Sequence, residues 1–239
     1  MTRTLQAMKW PLDLPPKVEM DDHLRRVKGL LFWHKGAGYL SSLLIHLELV
    51  WDFDAPTAWC NSVQIGFNPY FFLRLPTESR VTLLGHEIYH DGFDHMSRLG
   101  NRCPDRWNQA ADYVINLILK NAGFTFEEMD PLLDEQYADM STEEVYDLLP
   151  KLGKPSNPDS LMPGEIGNDI KPVPDNFSKD KQIAKIITAK QASKLAGDEP
   201  GTIPGEVQII IDNFLNPILP WPVILNRFFV ALSKNDYSY

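Results

Sequence analysis

Between residues 21 and 51 the apolar positions fall at Leu24, Val27, Leu30 and Leu31, and again at Leu40, Leu43, Leu44 and Leu47. This three-to-four-residue recurrence predicts two helices separated at Gly36-Ala37-Gly38. The period then changes. Segments 50–53 and 57–67 are rich in β-type residues, and Ser62-Val63-Gln64-Ile65-Gly66-Phe67 alternates polar with apolar, as a half-buried strand does. Helical spacing returns over 78–91, where Val81, Leu84 and Ile88 form a stripe, Thr77 stands at the N-cap position and Glu78 meets the positive end of the helix dipole. A further helix opens at Pro104, runs through Trp107, Ala110, Ala111, Val114, Leu117 and Ile118, and stops at Gly123. Ser141-Thr142-Glu143-Glu144 has capping-box spacing and predicts a short helix through Tyr146, Leu148 and Leu149. The expected fold class is therefore α+β, mainly helical, with a small sheet next to the helix at 78–91.

The pattern fails over 151–176, where Pro155, Pro158, Pro163, Pro172 and Pro174 stand among Gly, Asn, Asp and Ser. Few of these residues suit a core, so the stretch reads as an insert or linker. Segment 178–195 predicts a lysine-rich helix with a solvated face, carrying Lys179, Lys181, Lys185, Lys190 and Lys194. Apolar helices at 207–215 and 223–232 follow, separated by Pro217, Pro220 and Pro222. Pro11, Pro15 and Pro16 make residues 1–20 read as an extended arm. The expected organisation is an arm at 1–20, a core at 21–149, a Pro-rich insert with the lysine-rich helix at 150–205, and C-terminal helices at 206–239 that pack back on the core.

Composition narrows the function classes. The 239 residues carry 23 Lys+Arg against 32 Asp+Glu, a net charge of −9, which excludes an extended nucleic-acid footprint. Two cysteines, Cys60 and Cys103, are too few for a disulfide framework and read as reduced thiols of a cytoplasmic protein. No apolar run approaches the length of a membrane span, so no membrane contact is expected.

The helix at 78–91 contains His86-Glu87-Ile88-Tyr89-His90. Histidines four residues apart share a helical face and can reach one metal, while the intervening Glu projects toward a metal-bound water. An apolar helix preceded by an alternating strand is also the context of zincin-type zinc peptidases. His86 and His90 are thus candidate Zn2+ ligands and Glu87 the candidate catalytic base. A catalytic zinc takes a third protein ligand. Asn108, Asp112 and Asn116 fall at i−4, i and i+4 and form one polar stripe, which favours Asp112. His95 is the alternative. On an unbroken helix it would turn about 140° from His90, but Gly92 could break the helix and bring it back. Asn108 and Asn116 are candidate supporting or substrate-orienting groups, and Tyr89 or Tyr113 could donate to an oxyanion.

Several stretches together resemble a known family, the metallopeptidase domain of bacteria and phages that usually precedes a von Willebrand factor A-like domain. They are 57–68 with Pro69-Tyr70-Phe71; Leu84-Gly85-His86-Glu87-Ile88-Tyr89-His90 with His95 and Arg98; Trp107-Asn108-Gln109-Ala110-Ala111-Asp112-Tyr113-Val114-Ile115-Asn116; Glu143-Glu144-Val145-Tyr146; and Pro204-Gly205 through Pro220-Trp221 to Asp236-Tyr237-Ser238-Tyr239. The resemblance implies a zincin-like hydrolase acting on a peptide or protein substrate, in a bacterial cell or a phage-infected host. The sequence ends where the second domain would begin, so a stand-alone, phage-encoded form is expected. The alternative function is a catalytically silent metal-binding adaptor acting through a protein partner. The intact Glu87 favours the hydrolase, since a scaffold has no use for a general base.

Overall fold

The computed structural model of the protein describes residues 14–34, 37–150, 169–197 and 203–215. The helix expected at 223–232 and residues 1–13 of the arm lie outside these. Helix α1 (Lys17–Leu31) begins directly after Pro15-Pro16 and buries Met20, Leu24, Val27 and Leu31. Residues 17–20 are thus its first turn rather than arm, because a proline that cannot continue an upstream helix is well suited to precede one. Helix α2 (Ala37–Leu44) follows, with Leu40 and Leu43 fully buried.

Strands β1 (Glu48–Trp51), β2 (Ala58–Cys60) and β3 (Gln64–Phe67) form a mixed sheet of order β1-β3-β2. β3 runs parallel to β1 and antiparallel to β2, with Trp59 opposite Gly66. Helix α3 (Pro69–Arg74), which the apolar pattern does not announce, starts on an Asn68 cap whose Oδ1 accepts from the amides of Tyr70 and Phe71.

Helix α4 (Thr77–Gly92) is the centre of the molecule, with every residue from Val81 to Gly92 buried. Its N-cap is Pro76, not the expected Thr77, and no side chain caps it. α1, α2, β2 and helix α6 (Pro104–Asn121) all pack on it. Between them lies the single turn α5 (His95–Arg98), preceded by Asp94 in the left-handed region at φ 50°. α6 ends as expected, with Gly123 just beyond it at φ 87°. Ser141 and Glu144 form the predicted capping box of α7 (Thr142–Leu148). Helix α8 (Lys179–Leu195) packs on α2, and α9 (Gly205–Leu215) packs on α8.

The lysine-rich helix is not simply a solvated face. Ile183, Ile186 and Ala189 enter the core, and Lys185 donates to Asp91 Oδ1 at 2.7 Å, because the fully buried Asp91 carboxylate needs a counter-charge. Among the described residues, no helix is long and apolar enough to cross a membrane.

Candidate metal centre

One face of α4 presents His86 and His90, with their Nε2 atoms 3.0 Å apart. α6 crosses beside it and brings Asp112, whose Oδ1 lies 3.5 Å from His86 Nε2 and 3.4 Å from His90 Nε2. A fourth group arrives from far down the chain: Asp169 Oδ2 lies 3.6 Å from His86 Nε2. The four donor atoms all lie within 4.8 Å of one another, and all four residues are buried.

The supporting hydrogen bonds fix which nitrogen of each histidine faces the cluster. Asn116 donates through Nδ2 to Leu132 O, which orients its Oδ1 to accept from His86 Nδ1 at 3.0 Å. His90 Nδ1 lies 3.1 Å from His95 Nδ1, His95 Nε2 lies 3.0 Å from Thr142 Oγ1, and Thr142 Oγ1 donates to Glu206 Oε1 at 2.8 Å. Because Glu206 can only accept, the chain runs in one direction. Thr142 donates to Glu206, His95 Nε2–H donates to Thr142, and His90 Nδ1–H donates to His95 Nδ1. When both are neutral, His86 and His90 aim Nε2 lone pairs at the point that two carboxylates also face. A cluster of acceptors like this could hold a metal ion.

The distances fit one. Four ligands at metal bonds of about 2.1 Å make a tetrahedron with edges of about 3.4 Å. Four of the six separations, 3.0, 3.4, 3.5 and 3.6 Å, bracket that value, and all six are within 4.8 Å. Asp112 Oδ1 and both oxygens of Asp169 and of Glu87 have no hydrogen-bond partner. Buried oxygens of this kind call for a charge partner.

The protonation pattern tells the same story. Burial works against charging His86, yet the adjacent carboxyl groups of Asp112 and Asp169, with the Glu87 charge, outweigh it and hold its pKa well above the ordinary value. Burial and the neighbouring His86 charge push His90 down to about 4. A proton on His86 thus serves as the smallest cation that relieves the cluster. Burial and the Asp169 charge raise Glu87 far above the ordinary carboxyl range, while burial and Asp112 raise Asp169 to about 7. Asp112 goes the other way: burial pushes it up, but the two histidines beside it bring it below the usual carboxyl value.

The sequence-derived candidates divide cleanly. His86, His90 and Asp112 come together, with Glu87 buried beside them. Asn108 donates to Asp112 Oδ2 at 3.2 Å and Asn116 holds His86, so the polar stripe of α6 serves the cluster. His95 is brought back by the break at Gly92 and Asp94, but it meets Nδ1 of His90, the side away from the cluster. Tyr89 packs on Phe93 and Tyr39, and Tyr113 on Tyr137.

Sequence reasoning missed Asp169, Thr142 and Glu206. Asp169 sits in a proline-rich stretch with neither periodicity nor motif spacing, and Thr142 is visible only as the first residue after a helix cap.

A helix-centred α+β domain with a buried His/Asp group able to hold a metal ion is the class that fold and site define. The chain belongs to the family described as "Putative metallopeptidase domain", which it matches over residues 23–239. Comparison with curated proteins and with solved structures gives no match.

Proposed function

We propose that the protein is a zinc-dependent peptidase that hydrolyses peptide bonds of a peptide or protein substrate, with His86, His90 and Asp112 as metal ligands and Glu87 as general base. The observation that carries this reading is the all-acceptor cluster, flanked by a carboxylate with no hydrogen-bond partner. A donor set of imidazoles and carboxylates suits zinc. A zinc ion there supplies Lewis acidity, lowering the pKa of a water toward about 7 and polarising the scissile carbonyl.

The chain's own groups do the rest. Glu87 accepts the proton of the attacking water and delivers it to the leaving amine; burial raises the pKa of this carboxyl, and the charge of a bound cation would draw it back into the range of a base. Asn116 and His95 keep each imidazole in the tautomer whose Nε2 is free to ligate. Cys60 is buried and Cys103 exposed, both as free thiols, which supports a reducing, cytoplasmic setting.

A second reading, a catalytically silent metal-binding module, is favoured by one observation: four buried protein donors rather than three surround the point. Glu87→Gln separates the two. A peptidase variant keeps one metal per chain by elemental analysis and loses hydrolysis of an unstructured protein substrate. Equal cleavage by wild type and variant would sink the assignment of Glu87. His86→Ala, in contrast, is expected to lose the metal.

A further inference from the structure

Asp169 reaches the metal centre by a specific backbone contact. Sheet order β1-β3-β2 leaves β2 at the edge, its inner side paired with β3. On the outer side Cys60 N–H donates to Asp169 O at 2.7 Å and Lys171 N–H donates to Cys60 O at 3.0 Å, so residues 169–171 meet β2 in an isolated parallel bridge. Lys171 pins the addition, donating to Asp52 Oδ2 at 3.0 Å and lying 3.9 Å from the centre of the Trp59 ring. The Asp169 side chain then points into the donor cluster, and the backbone groups of Cys60 that an incoming extended chain would use are already taken.

A hydrolytic metal site keeps one position for water, whereas a site closed by four protein ligands has none. Here a fourth protein donor, Asp169, joins the other three, and His86, Glu87 and His90 have no exposure to solvent. We propose that the strand 169–171 is a self-blocking strap: Asp169 occupies the coordination position that the reaction needs for water, and turnover requires the strap to leave β2. This rests on the peptidase reading above, which supplies the need for an open position. The folded molecule as described is then a resting state with a complete His2Asp2 donor set. The working state has three donors and an accessible Glu87.

The test uses the full chain loaded with Co2+ and titrated with acetohydroxamate, a small chelating probe that binds a metal only where a position is open. Wild type is expected to bind one Co2+ with no change in its visible absorption on adding the probe. Asp169→Ala is expected to keep one Co2+ and show a saturable change, and the near-isosteric Asp169→Asn a smaller one. Hydrolysis of an unstructured protein substrate should rise at least about tenfold in Asp169→Ala, as expected when an open form of a few per cent or less becomes the major one.

A wild type that takes the probe as readily as Asp169→Ala overturns the strap, as does loss of Co2+ from folded Asp169 variants, which would make Asp169 a permanent structural ligand. If the Asp169 variants fail to fold, Lys171→Ala loosens the same strand while leaving Asp169 in place. It should open the site to the probe in part, and no opening there counts against the strap. Probe binding without hydrolysis in every variant would leave the strap standing and remove the peptidase reading instead.

Discussion

His95 shows how much one buried side chain can decide without joining the His/Asp cluster. It is fully buried, its pKa held well below the ordinary value first by burial and then by the charges of His90 and Arg98, so it stays neutral. Only a neutral imidazole can accept from His90 at Nδ1 while donating to Thr142 at Nε2. His95→Ala is therefore expected to weaken metal affinity roughly 10–100-fold in a competition with a chelating dye, although no donor is removed. Thr142→Val, which keeps shape and deletes the hydroxyl, should act in the same direction and cost about 1–3 kcal/mol of stability by leaving His95 and Glu206 without their shared partner. Unchanged affinity in both variants would refute the positioning role.

Asp94 makes a pH-dependent prediction. Burial raises its pKa from 3.8 to about 6. A folded-state pKa above the unfolded one contributes stability that is full below about pH 4 and is lost as pH rises through about 6. Asp94→Asn keeps a residue tolerant of the left-handed backbone and removes that loss. Urea midpoints should show the variant gaining on wild type, on the order of 2 kcal/mol, between pH 4.5 and 7.5.

Among the elements, the ones whose local signals agreed with their packing were legible in advance. α4 carries the apolar stripe, α6 has Pro at its start and Gly123 past its end, and α7 has its capping box. α3 was not, because its stability comes from the Asn68 cap and from the burial of Phe71 and Phe72, the latter against Trp51 and Phe67 of the sheet, rather than from a periodic stripe. The sheet was expected only as strands; which edge stayed open and what covered it depended on segments distant in sequence.

Gly66 marks how tightly β2 and β3 meet. A Cβ there would lie 2.3 Å from Trp59 Cε2, and that indole is held by its bond to Asp52 and by Lys171 above it. Gly66→Ala should destabilise the protein by about 1–3 kcal/mol in thermal or urea unfolding, with the loss centred on the strand that carries the strap. A variant as stable as wild type would mean that Trp59 can move.

At the scale of the whole molecule, the stretch that the composition marks as insert is tied into both core and site. Asp169 joins the donor cluster, Lys185 and Gln182 satisfy the buried Asp91, and Ile183, Ile186 and Ala189 fill the core against α2. α9 in turn brings Glu206, which accepts from Arg98 at 2.6 Å and from Thr142. Deleting residues 150–205 is therefore expected to unfold the protein rather than to release an active core. Circular dichroism and a thermal melt of the deletion variant check this, and a cooperative transition near that of wild type would show the core at 21–149 to be independent.

The sequence by itself determined the helical framework, the pair His86 and His90 with Glu87 between them, and the polar stripe that put Asp112 forward, because each of these rests on spacing along a single helix. Only the tertiary structure decided that Asp169 joins His86, His90 and Asp112 in one group able to hold a metal ion, that His95 stands behind His90 rather than beside it, and that residues 169–171 bridge the open side of β2. Those outcomes depend on where loops bring residues far apart in sequence, and on buried acceptors finding a donor or a cation, neither of which leaves a period to read.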